Sequence, residues 1–267
     1  MSNHMRRAFT LIEVLITTSI ISVLIALVMS GVGGAMTSAR SFKCSNNLRQ
    51  MGVAAQAYAA AYEDAFPAAV IYFQRGSSLR TVAWDYESDQ SGATKPGALT
   101  VFTDQPLSAM QCPEMQPALQ SEVSSAELLT GYHYNTSFIG HEGFYPETGA
   151  DGRVHDGWSR VRLGLNPTQR RRTDAVVVFA DGGFRGGVNK FMRAPGNTVE
   201  FDVGMIHAGT SAFRHRSCCN GCFLDGHIAS IGDPCRSALS TNDLLKYVTD
   251  FPKNGFLSGD DSAYDPR

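Results

Sequence analysis

Between Phe9 and Ala39 the chain carries one charged side chain, Glu13, in a stretch otherwise made of apolar and small residues. A run of this length has few choices in water. About 20 consecutive apolar residues cross a bilayer as a helix, whereas the core of an ordinary secretory signal is about 7–15 residues long. Arg6 and Arg7 precede the run. Basic flanks stay on the cytoplasmic side, so the pattern predicts a single-pass membrane protein with its N-terminus cytoplasmic and the rest exported. Glu13 is the anomaly, because an ionised acid in hydrocarbon costs at least about 3 kcal/mol unless it meets a partner or an interface. A conventional signal peptide cut near Thr37–Ala39 would explain neither the length of the run nor the acid.

The segment Ala8–Leu15, AFTLIEVL, resembles the processing site of type IV pilins and of the pseudopilins of type II secretion systems. The resemblance implies cleavage by a prepilin peptidase between Ala8 and Phe9, with methylation of the new N-terminal Phe9. Glu13 then becomes the fifth mature residue, and its implied role is assembly, pairing with the free amine of a neighbouring subunit. Ala8 departs from the commoner glycine at this position. The partners implied are the peptidase, other pilin or pseudopilin subunits in a filament, and the membrane.

A helical pattern continues outward from the apolar run. Leu48, Met51, Ala55, Tyr58 and Tyr62 recur at three- and four-residue steps, which predicts one apolar stripe. Gly31, Gly33 and Gly34 lie between the two halves; glycine weakens a helix by about 1 kcal/mol each, which predicts a bend or local melting. Pro67 marks the expected end. The chain thus divides into a leader at 1–8, a long helix at 9–66 whose transmembrane and assembly part is 9–36, and a β-rich globular domain at 67–267. The fold class expected is α+β and pilin-like, a long N-terminal helix packed on an antiparallel sheet. Strand-like runs include Ala69–Phe73, Ala175–Phe179 and Val199–Ile206, and Gly140–Gly157 reads as a long loop.

Near the end, His215 is followed by nine residues and then Asp225-Gly226. This is similar to a His-x9-Asp-Gly element at the C-terminus of a large group of pilin-like bacterial proteins. CSNNLRQMG at Cys44–Gly52, the Cys112-Pro113 pair and GYHYNTSF at Gly131–Phe138 resemble the same group. Physically, Asp-Gly between strand-like runs signals a two-residue hairpin with positive φ at both turn positions. His215 is then expected to hydrogen-bond across that hairpin and fix its register. Asp181-Gly182 reads as a similar strand end. No nucleophile motif accompanies His215 and Asp225, and the chain is not read as an enzyme.

Six cysteines, Cys44, Cys112, Cys218, Cys219, Cys222 and Cys235, in an exported domain suit disulfides. Six allow fifteen full pairings. The pairing preferred here is Cys44 with Cys112, tying the stem helix to the domain, with the other four pairing near the last hairpin. The metal alternative is zinc on Cys218, Cys219 and Cys222 with His215 or His227, although the second half of a usual zinc motif is missing. Calcium would need the acids Asp260, Asp261 and Asp265, or Glu142, Glu147, Asp151 and Asp156, and neither group has the spacing of a calcium loop. No resident cofactor is therefore expected.

The formal charge of −2 becomes about −4 once Arg6 and Arg7 leave with the leader. That leaves no positive field suited to nucleic acid. Two other classes stay open. One is a membrane-tethered or secreted module binding carbohydrate or protein through loops at Trp84, Tyr86, Tyr145 and Trp158. The other is an exported zinc-binding protein.

Overall fold

The computed structural model describes residues 9–75, 78–89, 94–104, 110–115, 130–140, 142–146, 160–162, 171–183, 190–196, 209–236 and 253–267. The chain forms two compact units, Met1–Arg40 and Ser41–Arg267. One helix, α1 (Leu11–Ala61), contributes to both.

In the first unit α1 is long and apolar enough to cross a membrane, and none of its apolar window is buried. Phe9, Leu11, Ile12, Leu27 and Met29 are each more than 60% exposed. The glycines do not melt the helix: residues 31–34 are α-helical. Thr37 Oγ1 and Ser38 Oγ donate to the carbonyls of Gly33 and Gly34 at 3.1 and 3.0 Å. These i−4 side-chain bonds keep the glycine carbonyls occupied where flanking side chains are small.

In the second unit α1 turns apolar on one side only. Cys44, Leu48, Met51, Ala55 and Ala59 are buried, recurring at three- and four-residue steps as a packed helical face requires. The stripe differs from the expected one at its end. Tyr58 is half-buried and Tyr62 is 53% exposed; they stack at 4.4 Å and meet Phe102 edge-on. The helix stops at Ala61, before Pro67, because Glu63 and Asp64 enter the left-handed region with φ of 52° and 62°. Asp64 N–H then donates back to Ala59 O at 2.8 Å, a six-to-one closure that satisfies a terminal carbonyl.

Thirteen strands form two sheets among the described residues. The first sheet is ordered β4 (Thr94–Pro96), β3 (Tyr86–Ser88), β2 (Ser78–Ala83), β1 (Val70–Arg75), β6 (Glu142–Pro146), β7 (Arg160–Arg162). The second runs β12 (Ile228–Gly232), β11 (Cys218–Phe223), β8 (Val177–Gly183), β10 (Thr210–Ala212), β13 (Asn254–Gly255), with β5 (Tyr132–Asn135) joining β8 to β9 (Phe191–Met192). The sheets are antiparallel except at β1–β6 and β5–β9, which are parallel. The fold is α+β, as the sequence pattern predicts. The expected loop at Gly140–Gly157 contains β6, and Asp181-Gly182 lies inside β8 rather than at its end. Val199–Ile206 falls outside the described residues.

The buried face of α1 shares one core with Trp84, Leu99, Tyr132, Tyr134, Phe179 and Cys222. Trp84, Tyr134 and Phe179 form an aromatic group with ring centroids 4.9–6.0 Å apart. Full burial of each large apolar side chain contributes about 1.5–3 kcal/mol. Gly52 sets how close helix and sheet come: a Cβ there would run into Cys222 Sγ.

The turn after β11 departs from the expected geometry. Gly226 alone has positive φ, +91°, and Gly226 N donates to Phe223 O at 2.9 Å. Three residues, Leu224–Gly226, therefore close the β11–β12 hairpin, a turn followed by a glycine in the left-handed region. A two-residue turn does occur nearby, at Arg216-Ser217, where φ is 52° and 63°. His215 and Cys218 flank it and exchange both backbone hydrogen bonds at 3.0 Å.

Candidate functional site

Two places concentrate polar chemistry. One is the start of α1. Thr10 is its N-cap: Glu13 Oε2 accepts from Thr10 N and from Thr10 Oγ1, both at 2.8 Å, while Glu13 N donates to Thr10 Oγ1 at 3.3 Å. Thr10-x-x-Glu13 is a capping box, in which cap and third residue satisfy each other's orphan N–H groups. The Thr-x-x-Glu spacing that carries it is legible in the sequence. Glu13 thus has a partner within its own chain, and the positive end of the helix dipole adds to it. Phe9, 86% exposed, stands immediately before the cap. Ala8 lies outside the described residues.

Comparison with known families bears on this end of the molecule. A family profile described as "Prokaryotic N-terminal methylation motif" matches residues 3–33. A second, described as "Protein of unknown function (DUF1559)", matches residues 35–84. The two profiles, which lie within residues 3–84, support a type IV pilin- or pseudopilin-like protein. No curated protein and no solved structure matches it significantly. Both matched segments end before the His-x9-Asp-Gly element. The methylation motif points to a pilin- or pseudopilin-type processed subunit, and α1 is long and apolar enough to anchor it in a membrane.

The second place lies inside the globular unit. Cys44 on α1 and Cys112 approach with sulfurs 3.0 Å apart, Cys44 donating. Cys112 is held by its N–H to Thr130 O at 2.8 Å and by Gly131, whose missing Cβ would lie 3.0 Å from Cys112 Cβ. His215 Nε2 is 3.7 Å from Cys112 Sγ and 3.5 Å from Asp181 Oδ2. His215 Nδ1 faces Glu114 Oε2 at 3.4 Å. Asp181 Oδ2 accepts from Asn220 N at 2.8 Å. The aspartate that meets His215 is therefore Asp181 on β8. Asp225, the one named by the sequence element, is turned to solvent, where its carboxylate accepts from His227 N at 3.0 Å and sits 2.6 Å from His227 Nδ1. The imidazole of His215 does not bridge the β11–β12 hairpin; its backbone closes the Arg216-Ser217 turn instead. Spacing along the chain gave no signal of this, because Asp181 lies 34 residues before His215.

The charges in this cluster are coupled. The hydrogen bond from Cys44 and the neighbouring His215 pull the Cys112 thiol down against burial. That same bond, with burial, pushes Cys44 up. Burial opposes a charged His215, but Asp181 and Cys112 outweigh it and raise its pKa to about 10. Arg214 is partly buried beside them and donates to the carbonyls of Gly131 and Gly182.

The other expected sites come apart. Cys218, Cys219 and Cys222 do not converge: Cys219 and Cys222, three apart on β11, point to opposite faces, and Cys218 and Cys222 share a face but lie about 13 Å apart along the strand. Cys219 packs among Val177, Phe213 and Phe256, and Cys222 among the α1 face and Phe179. None of the six cysteines is disulfide-bonded in the structure, and of the expected pairings it brings Cys44 and Cys112 together. Burial, then Asp225, pushes Cys222 up to about 12, which suits an inert core thiol. In the tail, Asp260 caps Ser262 at 3.0 Å, Asp261 accepts from Gly196 N at 2.7 Å, and Asp265 takes the Arg267 guanidinium. Each carboxylate is committed to a protein donor, which does not fit a calcium loop. Glu147, Asp151 and Asp156 lie outside the described residues; Glu142 falls in β6. Trp84 and Tyr86 are buried and cannot contact a carbohydrate; Trp158 lies outside the described residues and Tyr145 is in β6.

One buried histidine predicts acid sensitivity. His133 on β5 is fully buried, with Nε2 3.2 Å from Ser211 Oγ. Burial, and then Arg214, lower its pKa to about 3. The folded chain keeps it neutral while the unfolded chain protonates it near 6.5. Its contribution is therefore full above about pH 6.5 and is lost as pH falls toward 3, amounting to about 2 kcal/mol by pH 5. Thermal unfolding at pH 7 and pH 5 checks this: His133→Gln should show a smaller drop in midpoint on acidification than the unaltered chain, and an equal drop would refute the assignment.

Proposed function

We propose that this chain is a subunit of a type IV pilus or a type II secretion pseudopilus. Prepilin peptidase cuts between Ala8 and Phe9, Phe9 is N-methylated, and the helix holds the chain in the cytoplasmic membrane with its globular domain exported. Assembly follows by bundling the helices of many subunits. The observation that carries the proposal is a bare apolar helix start joined to a capped acid. Every described side chain from Phe9 to Met36 is exposed, so the segment needs lipid before assembly and neighbouring helices afterwards. Glu13 sits four residues beyond the new amine, where docking can exchange its own Thr10 cap for a neighbour's N-terminus. Burial of Trp84 and Tyr86 weighs against a free binding module.

Mass spectrometry of the mature N-terminus from membranes tests the processing. A terminal peptide beginning at N-methylated Phe9 is expected. An intact Met1, or a start near Arg40, would overturn it.

A further inference from the structure

We propose that Cys44, Cys112, Asp181 and His215 form a buried structural site for a divalent transition-metal ion, zinc by its donor chemistry. The two sulfurs, a carboxylate oxygen and a ring nitrogen all lie within 4.8 Å of one another, and all four residues are buried. They come from four separate parts of the globular unit: α1, the segment before Pro113, β8, and the tight turn before β11. Residues 68, 69 and 34 apart in sequence have been brought to one point, so the grouping does not arise from local chain geometry.

The distances suit a tetrahedral ion. Zinc–sulfur bonds of about 2.3 Å and zinc–nitrogen or –oxygen bonds of about 2.0–2.2 Å place tetrahedral donor atoms about 3.3–3.8 Å apart. The His215–Asp181 and His215–Cys112 separations, 3.5 and 3.7 Å, already lie in that range. The Cys44 and Cys112 sulfurs, at 3.0 Å, need to part by about 0.7 Å to reach it. Two thiols, an imidazole and a carboxylate are the donors that zinc accepts, and a closed four-protein-ligand site is the structural kind.

Two further features point to an ion. Asp181 is fully buried and its Oδ1 has no hydrogen-bond partner among the described residues, an open acceptor that a bound cation would satisfy. Glu114 sits against His215 Nδ1 at 3.4 Å, leaving Nε2 toward the other three donors. Metal-bound histidines characteristically give their second nitrogen to such a carboxylate. Both sulfurs bind as thiolates and His215 binds as the neutral imidazole, so the Nε2 proton of His215 and any protons still on the two sulfurs leave to solvent as the ion enters. Two thiolates and a carboxylate then exceed the ion's charge by one, and the adjacent Arg214 cation offsets it. The His215 backbone is fixed by the Arg216-Ser217 turn, whose two residues occupy the left-handed region without glycine.

The test uses the full chain, purified from membranes in detergent without chelators. Elemental analysis should find about one zinc per chain, surviving dialysis, lost in Cys112→Ser and in His215→Ala, and kept in Cys219→Ser. Because the first two variants can misfold, the unaltered chain is also stripped and refilled with cobalt(II) alone. Intense visible bands of a tetrahedral site with thiolate charge transfer are expected. No stoichiometric metal, undiminished metal in both ligand variants, a weak octahedral cobalt spectrum, or a Cys44–Cys112 cross-linked peptide in the unreduced chain would each overturn the proposal.

Discussion

Glu13→Ala should leave the chain inserted in the membrane and exclude it from filaments, with incorporation falling at least tenfold. Two effects combine in this variant. Loss of the capping box frays the helix start, at about 1 kcal/mol, and loss of the carboxylate removes the partner proposed for a neighbour's amine. Glu13→Gln separates them. Glutamine can still serve in a capping box with Thr10, whereas an uncharged amide gives little attraction to an ammonium group. If docking is the role, Glu13→Gln is excluded nearly as strongly as the alanine variant. Counting the tagged subunit in sheared filaments against membranes reads both. Normal incorporation of Glu13→Ala sinks the docking role, and full rescue by Glu13→Gln reassigns the residue to capping.

The largest stability effect is expected at Lys190. Its ammonium lies 2.7 Å from Asp85 Oδ2, with the two side chains 5% and 1% exposed, and 3.9 Å above the Tyr86 ring. Asp85 lies between β2 and β3, and Lys190 precedes β9, so the pair joins the two sheets. Phe191, next to it, packs with Val70, Ala83 and Tyr86. Lys190→Met keeps most of the stem and strands the carboxylate, which should cost about 3–5 kcal/mol. The double variant Asp85→Asn with Lys190→Met removes both charges and should recover much of that loss. Chemical unfolding of the four chains gives the coupling directly. A Lys190→Met chain within about 1 kcal/mol of the unaltered one contradicts the assignment.

The helix was readable because its information is local. Apolar composition and three–four periodicity act over a few turns, so Leu48, Met51 and Ala55 could be placed on the buried face without knowing the sheet. The glycine-rich stretch misled because intrinsic propensity ignores the Thr37 and Ser38 back-bonds. Turn chemistry was half-readable: Gly226 does take positive φ, but Arg216-Ser217, which no residue preference would select, makes the tighter turn. The cysteine–histidine–aspartate cluster was least legible. His215 was singled out from its spacing to Asp225, yet the strand that carries Asp181 provides its true neighbour. Cys219-x-x-Cys222 looked like a ligand pair only until the strand period sent its members to different cores. Partners set by sheet register are long-range information, and no local window holds them.

The position of β8 dictates an order of events for a chain that emerges N-terminus first. It takes β5, made earlier, on one pairing, and β10 and β11, made later, on others. The face of α1 from Cys44 to Ala59 rests on residues as late as Leu224. The core therefore cannot close until the last fifth of the chain is available, and closing such distant contacts is slow. Until then the upper part of the helix offers a second sticky stripe beyond the membrane segment, a surface on which incomplete chains aggregate or meet proteases before they can fold.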